Sequence, residues 1–183
     1  MEFTGEIYYN FESIDVWRVY STLVRAASAG NVNVAVEWRE FPGPDLRSDE
    51  PPTGKMRLLA ACAVVAKTAP QSHERFVQAL LTLVYEQKDD PDKETTFLVA
   101  ARVAGLDGSA LSAEVDSSGL ALLVAARSHA EERGILAVPT IVRHGPPLHI
   151  KTTEAAKQGS AVARIELLNR MLDDDGVWAL TKP

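Results

Sequence analysis

Cysteine is the scarcest chemically reactive residue in this chain of 183 residues, because Cys62 is its single copy. One cysteine excludes an internal disulfide, a CxxC redox motif and a zinc site built from cysteines. Cys62 lies in an apolar run with helical spacing, 58–65, so we predict that it is buried and unreactive. The chain therefore has no thiol of its own that is placed for redox chemistry.

Basic charge and long apolar runs are also lacking. The formal net charge is −6 and the pI is near 5.2, which argues against a nucleic-acid partner. The sequence shows neither an obvious membrane span nor the basic and apolar regions of a signal peptide, so we expect a cytoplasmic protein without a membrane partner. No carboxylate or third ligand is placed beside the histidines, so we expect no metal site.

The N-terminal part of the chain shows a strand–helix–strand pattern. Residues 7–11 predict a first strand, and residues 17–29 repeat with helical spacing up to Gly30. Residues 32–38 alternate strictly and predict a second strand, with Asn33, Ala35 and Glu37 on one face. A βαβ unit favours a parallel pair of strands with a right-handed crossover.

The rest of the chain predicts a helical block followed by a hairpin and a last helix. The predicted helices of the block are 55–67, 71–87, 93–104, 109–115 and 118–133. Two strands follow at 140–143 and 148–151, and a last helix covers about 153–172. The predicted fold is therefore α/β and thioredoxin-like, with β-α-β, an inserted helical domain and then β-β-α. We expect the two halves of the thioredoxin-like domain at 1–54 and 134–183, with the insertion at 55–133.

Four segments carry a resemblance to a known family. They are Tyr9–Trp17, Val36–Phe41, Arg75–Leu80 together with Val103–Asp107, and Gly134–Thr140. In this order they resemble the DsbA-like thioredoxin superfamily, in the branch of FrnE-type proteins, 2-hydroxychromene-2-carboxylate isomerases and kappa-class glutathione transferases. The resemblance implies a cis peptide bond before Pro139, whose preceding backbone pairs with an extended peptide or with the cysteinyl part of a thiol ligand.

The sequence departs from the family pattern where the catalytic cysteines would stand. Ser13 falls at the position of the nucleophilic cysteine and Val16 at that of the resolving cysteine, in the segment Ser13-Ile14-Asp15-Val16. Dithiol–disulfide exchange needs one thiolate to attack and a second thiol to resolve the mixed disulfide. The mechanism of a disulfide oxidoreductase is therefore excluded at this position.

Two interpretations of Ser13 stay open. A serine directly before a helix is an N-cap that accepts an amide hydrogen from the first turn. In the kappa transferases and the isomerases, by resemblance, a serine at this position hydrogen-bonds the thiolate of glutathione, and Trp17 matches their aromatic residue. Asp15 complements the helix dipole, but its charge disfavours a second anion nearby.

We expect a ligand- or partner-binding protein with a degenerate active site and no dithiol oxidoreductase activity. The alternative is a transferase- or isomerase-like enzyme that binds glutathione or mycothiol as co-substrate, with Ser13 as its catalytic residue. The partner is then a small-molecule thiol or a peptide or protein segment, without a resident cofactor, and a homodimer is left open. The predicted ligand-binding residues are Ser13, Asp15, Trp17, Val138, Pro139 and Thr140.

Overall fold

The structure is a computed structural model that describes residues 1–30, 32–44, 46–47 and 49–174. These residues form four strands and six helices. The strands are β1 (Glu2–Tyr9), β2 (Asn33–Glu40), β3 (Thr140–Val142) and β4 (Leu148–His149). The helices are α1 (Ile14–Ser28), α2 (Gly54–Thr68), α3 (Pro70–Leu81), α4 (Glu94–Val103), α5 (Gly108–Glu132) and α6 (Gln158–Asp173). One π-helical turn, Thr82–Glu86, follows α3.

The strands form one sheet in the order β2-β1-β3-β4. A hydrogen bond of 2.8 Å from Asn33 N–H to Met1 O places the starts of β2 and β1 side by side, as in a parallel pair. β3 runs antiparallel to β1, with Thr140 opposite Tyr8, and antiparallel to β4, with Thr140 opposite His149. The sheet thus has the predicted βαβ start and the predicted closing hairpin.

The chain divides into two compact units. The sheet unit contains residues 1–9, 13–39 and the described residues from Arg133 onward, and the helical unit contains 10–12 and 40–132. The predicted first boundary, at residue 54, lies later than the observed one. Residues 40–53 go with the helical unit because Glu40 bonds His73 at 2.7 Å and the carbonyl of Leu46 accepts a hydrogen bond from Arg127.

Helix α2 is the central element of the helical unit. Every residue from Leu58 to Val65 is buried, which is the pattern of a helix surrounded by protein on all sides. Cys62 lies within this run and is 0% exposed, so its predicted burial is confirmed.

Helix α5 packs on α2 and is continuous from 108 to 132. The prediction of two separate helices, 109–115 and 118–133, is therefore wrong. The helix is continuous because of its packing in the fold. A Cβ placed on Gly119 would lie 3.1 Å from the Cβ of Ala60, so the glycine permits a close approach of the two helices. Among the described residues, α5 alone is long and apolar enough to cross a membrane, a test that core helices of soluble proteins also pass.

Candidate functional site

The candidate site lies in the sheet unit, around the start of α1 and the entry to β3. β1 and β3 are antiparallel, and Tyr8 lies opposite Thr140. The chain therefore leaves β1 toward Ser13 at the same end of the strands at which it enters β3 through Pro139. The register therefore brings together the two segments that the sequence singled out.

Ser13 is the N-cap residue of α1, with extended backbone angles (φ −89°, ψ 117°). Its position is as predicted, but its side chain makes no capping hydrogen bond. The first-turn amide of Val16 instead bonds the backbone carbonyl of Ser13 at 3.2 Å. The hydroxyl is thus not used in the way that the structural interpretation of Ser13 requires.

Asp15 forms an ion pair with Arg18 of the same helix. Arg18 donates to the Asp15 carboxylate at 2.8 Å and to the backbone carbonyl of Thr152 at 2.6 Å. The bond to Thr152 fixes the segment before α6 against the start of α1. The charge with which Asp15 would oppose a bound anion is therefore offset by the adjacent guanidinium.

The Val138–Pro139 peptide bond is cis in the structure, which is the conformation that the resemblance implies. The carbonyl of Pro139 accepts a hydrogen bond from Ile150 N–H at 2.9 Å, so this residue is tied to the strand side of the hairpin. Val138 is half-buried, and its N–H and C=O form no hydrogen bond within the described part of the chain. An unsatisfied amide and carbonyl at the end of a sheet are available for pairing with an extended ligand.

Two of the predicted ligand-binding residues have structural contacts that account for them. Thr140 is 2% exposed, and its hydroxyl donates to the carbonyl of Ala137 at 2.7 Å, which shapes the loop from inside. Trp17 is half-buried, and its ring lies 5.5 Å from that of Tyr20. Both side chains support the loop and the helix face that adjoin the site.

Two large apolar side chains near the site in sequence are exposed to solvent. Ile14, the first residue of α1, is 41% exposed. Leu136, three residues before the cis proline, is 90% exposed.

The sequence did not single out His149 as a site residue. Its Nδ1 lies 3.1 Å from the carbonyl oxygen of Pro139 and 3.4 Å from the hydroxyl of Thr140. The hairpin register brings His149 there, opposite Thr140. The sequence could have indicated this, because His149 follows Thr140 by nine residues in the predicted hairpin.

The segment before Ser13 is held within the helical unit. Tyr85 donates to the carbonyl of Phe11 at 2.6 Å, and Lys55 pairs with Glu12 at 3.2 Å. Burial, and then the nearby Glu12 carboxylate, raise the pKa of Tyr85 above its ordinary value. The cavity beside this segment has a volume of about 10 Å³, which is space for about one water and not for a ligand.

A larger concavity of about 780 Å³ lies in the helical unit between the Pro51–Pro52 loop and α5. Its acidic residues already have cationic partners, since Arg47 pairs with Glu50 and Arg57 with Asp116. It offers no group with the chemistry that the segment Ser13–Val16 led us to expect.

Known structures resemble this chain over most of its length. A 2-hydroxychromene-2-carboxylate isomerase superposes with a TM-score of 0.66 at 13% identity, covering 92% of this chain and 96% of that one. A cytosolic disulfide reductase, DsbM of Pseudomonas aeruginosa, solved with GSH, gives 0.58 at 13% identity, with 92% and 100% covered. The oxidoreductase NmDsbA1 of N. meningitidis gives 0.54 at 14% identity, with 93% and 83% covered.

The fold is that of the DsbA-like thioredoxin proteins. The predicted thioredoxin-like fold with a helical insertion is thereby confirmed. By sequence alone, no protein-family model and no curated protein matches the chain. The DsbA-like fold is thus present without the two cysteines, and its function rests on the residues of the site.

Proposed function

We propose that this DsbA-like protein binds an extended peptide or protein segment along the Val138–Pro139 loop and does not catalyse disulfide exchange. The observation that carries the proposal is the pair of backbone groups of Val138, which no described residue satisfies. An extended segment of a partner would add to the sheet here by main-chain hydrogen bonds, and main-chain pairing supplies affinity without requiring a particular sequence.

The proposed absence of exchange activity rests on where the chain has its one thiol and where it has none. Ser13 and Val16 occupy the two positions at the start of α1, and the one cysteine is fully buried in α2 of the helical unit. A thiol that is buried among apolar side chains is inert toward disulfides. The protein therefore keeps the binding part of the fold without its redox part.

Two exposed apolar side chains would add to the binding of a peptide or protein partner that reaches them. Leu136 and Ile14 present large side chains to solvent close in sequence to the cis proline and to the helix start, respectively. Apolar side chains of the partner would cover them, and the gain is about 25 cal/mol for each Å² of apolar surface removed from water.

A small-molecule thiol is the second candidate ligand, with Ser13 as the residue that hydrogen-bonds it. The observation that favours it is the Asp15–Arg18 pair, which offsets the negative charge that would otherwise repel a thiolate at the start of α1. The similarity to an isomerase and to a reductase solved with GSH supports the same candidate. In this form the protein would be a glutathione- or mycothiol-dependent transferase or isomerase.

Peptide selection tests the first candidate. A random heptapeptide phage library is selected on the wild-type protein and counter-selected on the variant Val138→Pro, which lacks the amide hydrogen. We expect enriched peptides that bind the wild type and lose binding when the amide that pairs with Val138 is N-methylated. Circular dichroism and the melting temperature check that the variant is folded. Peptides that bind both proteins equally would refute pairing at Val138.

Calorimetry tests the second candidate. Reduced glutathione and mycothiol are titrated into the wild type and into Ser13→Ala, with S-methylglutathione as the matched ligand that has no thiol proton. Binding that weakens in Ser13→Ala supports the serine as the thiol ligand. If neither glutathione nor mycothiol gives a heat of binding, this candidate is refuted, and the peptide-binding candidate is not affected.

A further inference from the structure

His149 contacts the cis-proline loop through one nitrogen of its imidazole ring. It lies on β4 directly opposite Thr140, and it is exposed to solvent. Its Nδ1 is 3.1 Å from the oxygen of Pro139, the residue that follows Val138. Pro139 is joined to Val138 by the cis peptide bond, so the imidazole ring contacts the residue next to the proposed ligand-binding backbone.

The contacts of Nδ1 fix the tautomer of the ring. The carbonyl of Pro139 can only accept a hydrogen bond. The hydroxyl proton of Thr140 is already donated to Ala137, so this oxygen can also only accept from His149. Both neighbours of Nδ1 are therefore acceptors, and Nδ1 carries the hydrogen. The neutral ring then has its lone pair on Nε2.

Nε2 has no partner of its own in the part of the chain that is described. No described hydrogen bond reaches it, and no described carboxylate forms an ion pair with His149. An oriented imidazole with an accessible Nε2 is the usual arrangement of a histidine that takes a proton from a bound molecule.

We propose that Nε2 of His149 accepts the thiol proton of a cysteinyl ligand held against Val138. This proposal rests on the thiol-binding form of the proposed function. The S–H bond of the ligand breaks and an N–H bond forms on Nε2, which leaves a thiolate beside an imidazolium that still donates through Nδ1. The proton moves between two groups and no electron is transferred, so neither an oxidant nor a reductant is needed. The ligand supplies the sulfur that this chain lacks.

The role of His149 is separate from that of Ser13. A hydroxyl at the start of α1 can donate to a thiolate but is too weak a base to take its proton. An imidazolium close to a thiol favours the thiolate form, as in enzymes that activate a cysteine with a histidine. Ser13 would therefore position the sulfur, and His149 would ionise it.

The test uses His149→Asn, since the side-chain amide of asparagine can replace Nδ1 as donor to Pro139 but has nothing at the place of Nε2. Reduced glutathione is bound to both proteins at neutral pH, and the thiolate is measured by its ultraviolet absorbance. We expect the thiolate fraction of the bound glutathione to fall about tenfold in His149→Asn. Binding of S-methylglutathione, which has no proton to give, should be equal in the two proteins.

Imidazole nitrogen chemical shifts give the second readout. In the wild type alone Nδ1 should be protonated and Nε2 not, and bound glutathione should protonate Nε2 while S-methylglutathione should not. Glutathione that binds with the same thiolate fraction in both proteins would overturn the role of His149 and leave thiol binding intact. Binding of neither glutathione nor S-methylglutathione would overturn the thiol-binding form and the role of His149 together.

Discussion

At the scale of single residues, the side chains at the start of α1 make contacts that their residue types do not predict. Ser13 stands at an N-cap without capping, and Arg18 ties Asp15 to the segment before α6. The positions could be predicted from the sequence, because Ser and Asp are typical of a first helical turn. The hydrogen-bond partners could not, because Thr152 is distant in sequence and only the fold brings it to Arg18.

Replacing Ser13 with alanine should cost little stability. Because the side chain makes no capping bond, we expect a loss below the ~1 kcal/mol of a bonded cap. The measurement is urea unfolding. The control in the same helix is Thr22→Val, which loses the bonds of the hydroxyl to Arg18 O and from Ala156 N–H and should cost about 1–3 kcal/mol. Equal losses would show that Ser13 does cap the helix.

Tyr85 should make stability fall at alkaline pH. Its pKa is raised in the folded protein, so its contribution is complete below the unfolded value of about 10 and is lost as the pH rises toward the folded value. Tyr85→Phe should cost about 1 kcal/mol at neutral pH, since Phe11 O loses its donor, and less at about pH 11. Tyr8, whose pKa is also raised, contributes equally in both proteins. Urea unfolding at the two pH values measures this difference, and parallel pH curves would contradict it.

At the scale of elements, the number and order of the strands and the hairpin could be predicted from alternation and turn residues. The bounds were less accurate: the first strand was predicted at 7–11 and lies at Glu2–Tyr9, and the helix ends and the domain boundary also differ. The pattern predicted two separate helices with a gap at residues 116–117, whereas α5 is continuous there. Packing of α5 on α2, with Gly119 close to Ala60, favours the continuous helix. The loop 40–53 could not be assigned from its composition, because only its contacts with His73 and Arg127 decide to which unit it belongs.

Enlarging Gly119 should separate α2 from α5. Gly119→Leu inserts a side chain where even a Cβ is 3.1 Å from Ala60, and we expect a loss of about 1–3 kcal/mol from overpacking. The control is Gly159→Ala in the first turn of α6, where no atom lies within 4 Å of the added Cβ. This variant should gain up to about 1 kcal/mol from helix propensity. Thermal unfolding checks both, and a neutral Gly119→Leu would show that the helices are not closely packed.

At the scale of the whole molecule, a DsbA-like fold persists without its dithiol. The order of the elements and the four segments that resemble the family were enough to predict the fold. The location of the proposed ligand-binding backbone needed the structure, because the missing hydrogen bonds of Val138 and the contacts of His149 depend on the register of β1, β3 and β4.

Restoring the two cysteines should restore exchange chemistry. Ser13→Cys combined with Val16→Cys places an attacking thiol at the N-cap, where helix amides stabilise a thiolate, and a buried resolving thiol one turn later. We expect the double variant to reduce insulin in a turbidity assay and the wild type to be inactive. The two single variants are the matched controls and should be inactive as well. Inactivity of the double variant would mean that more than sulfur has been lost from the site.

The division of the chain into two units also sets an order of folding. The helical unit is almost continuous from residue 40 to 132, whereas β1 must wait for β3, which is made more than a hundred residues later. Closing so long a loop carries an entropic cost, and a chain emerging from the ribosome at ~5–20 residues per second spends seconds with the β3-facing side of β1 unpaired. We therefore expect the helical unit to form first during synthesis, and the proposed binding loop at Val138–Pro139 to be among the last parts of the protein to become ordered.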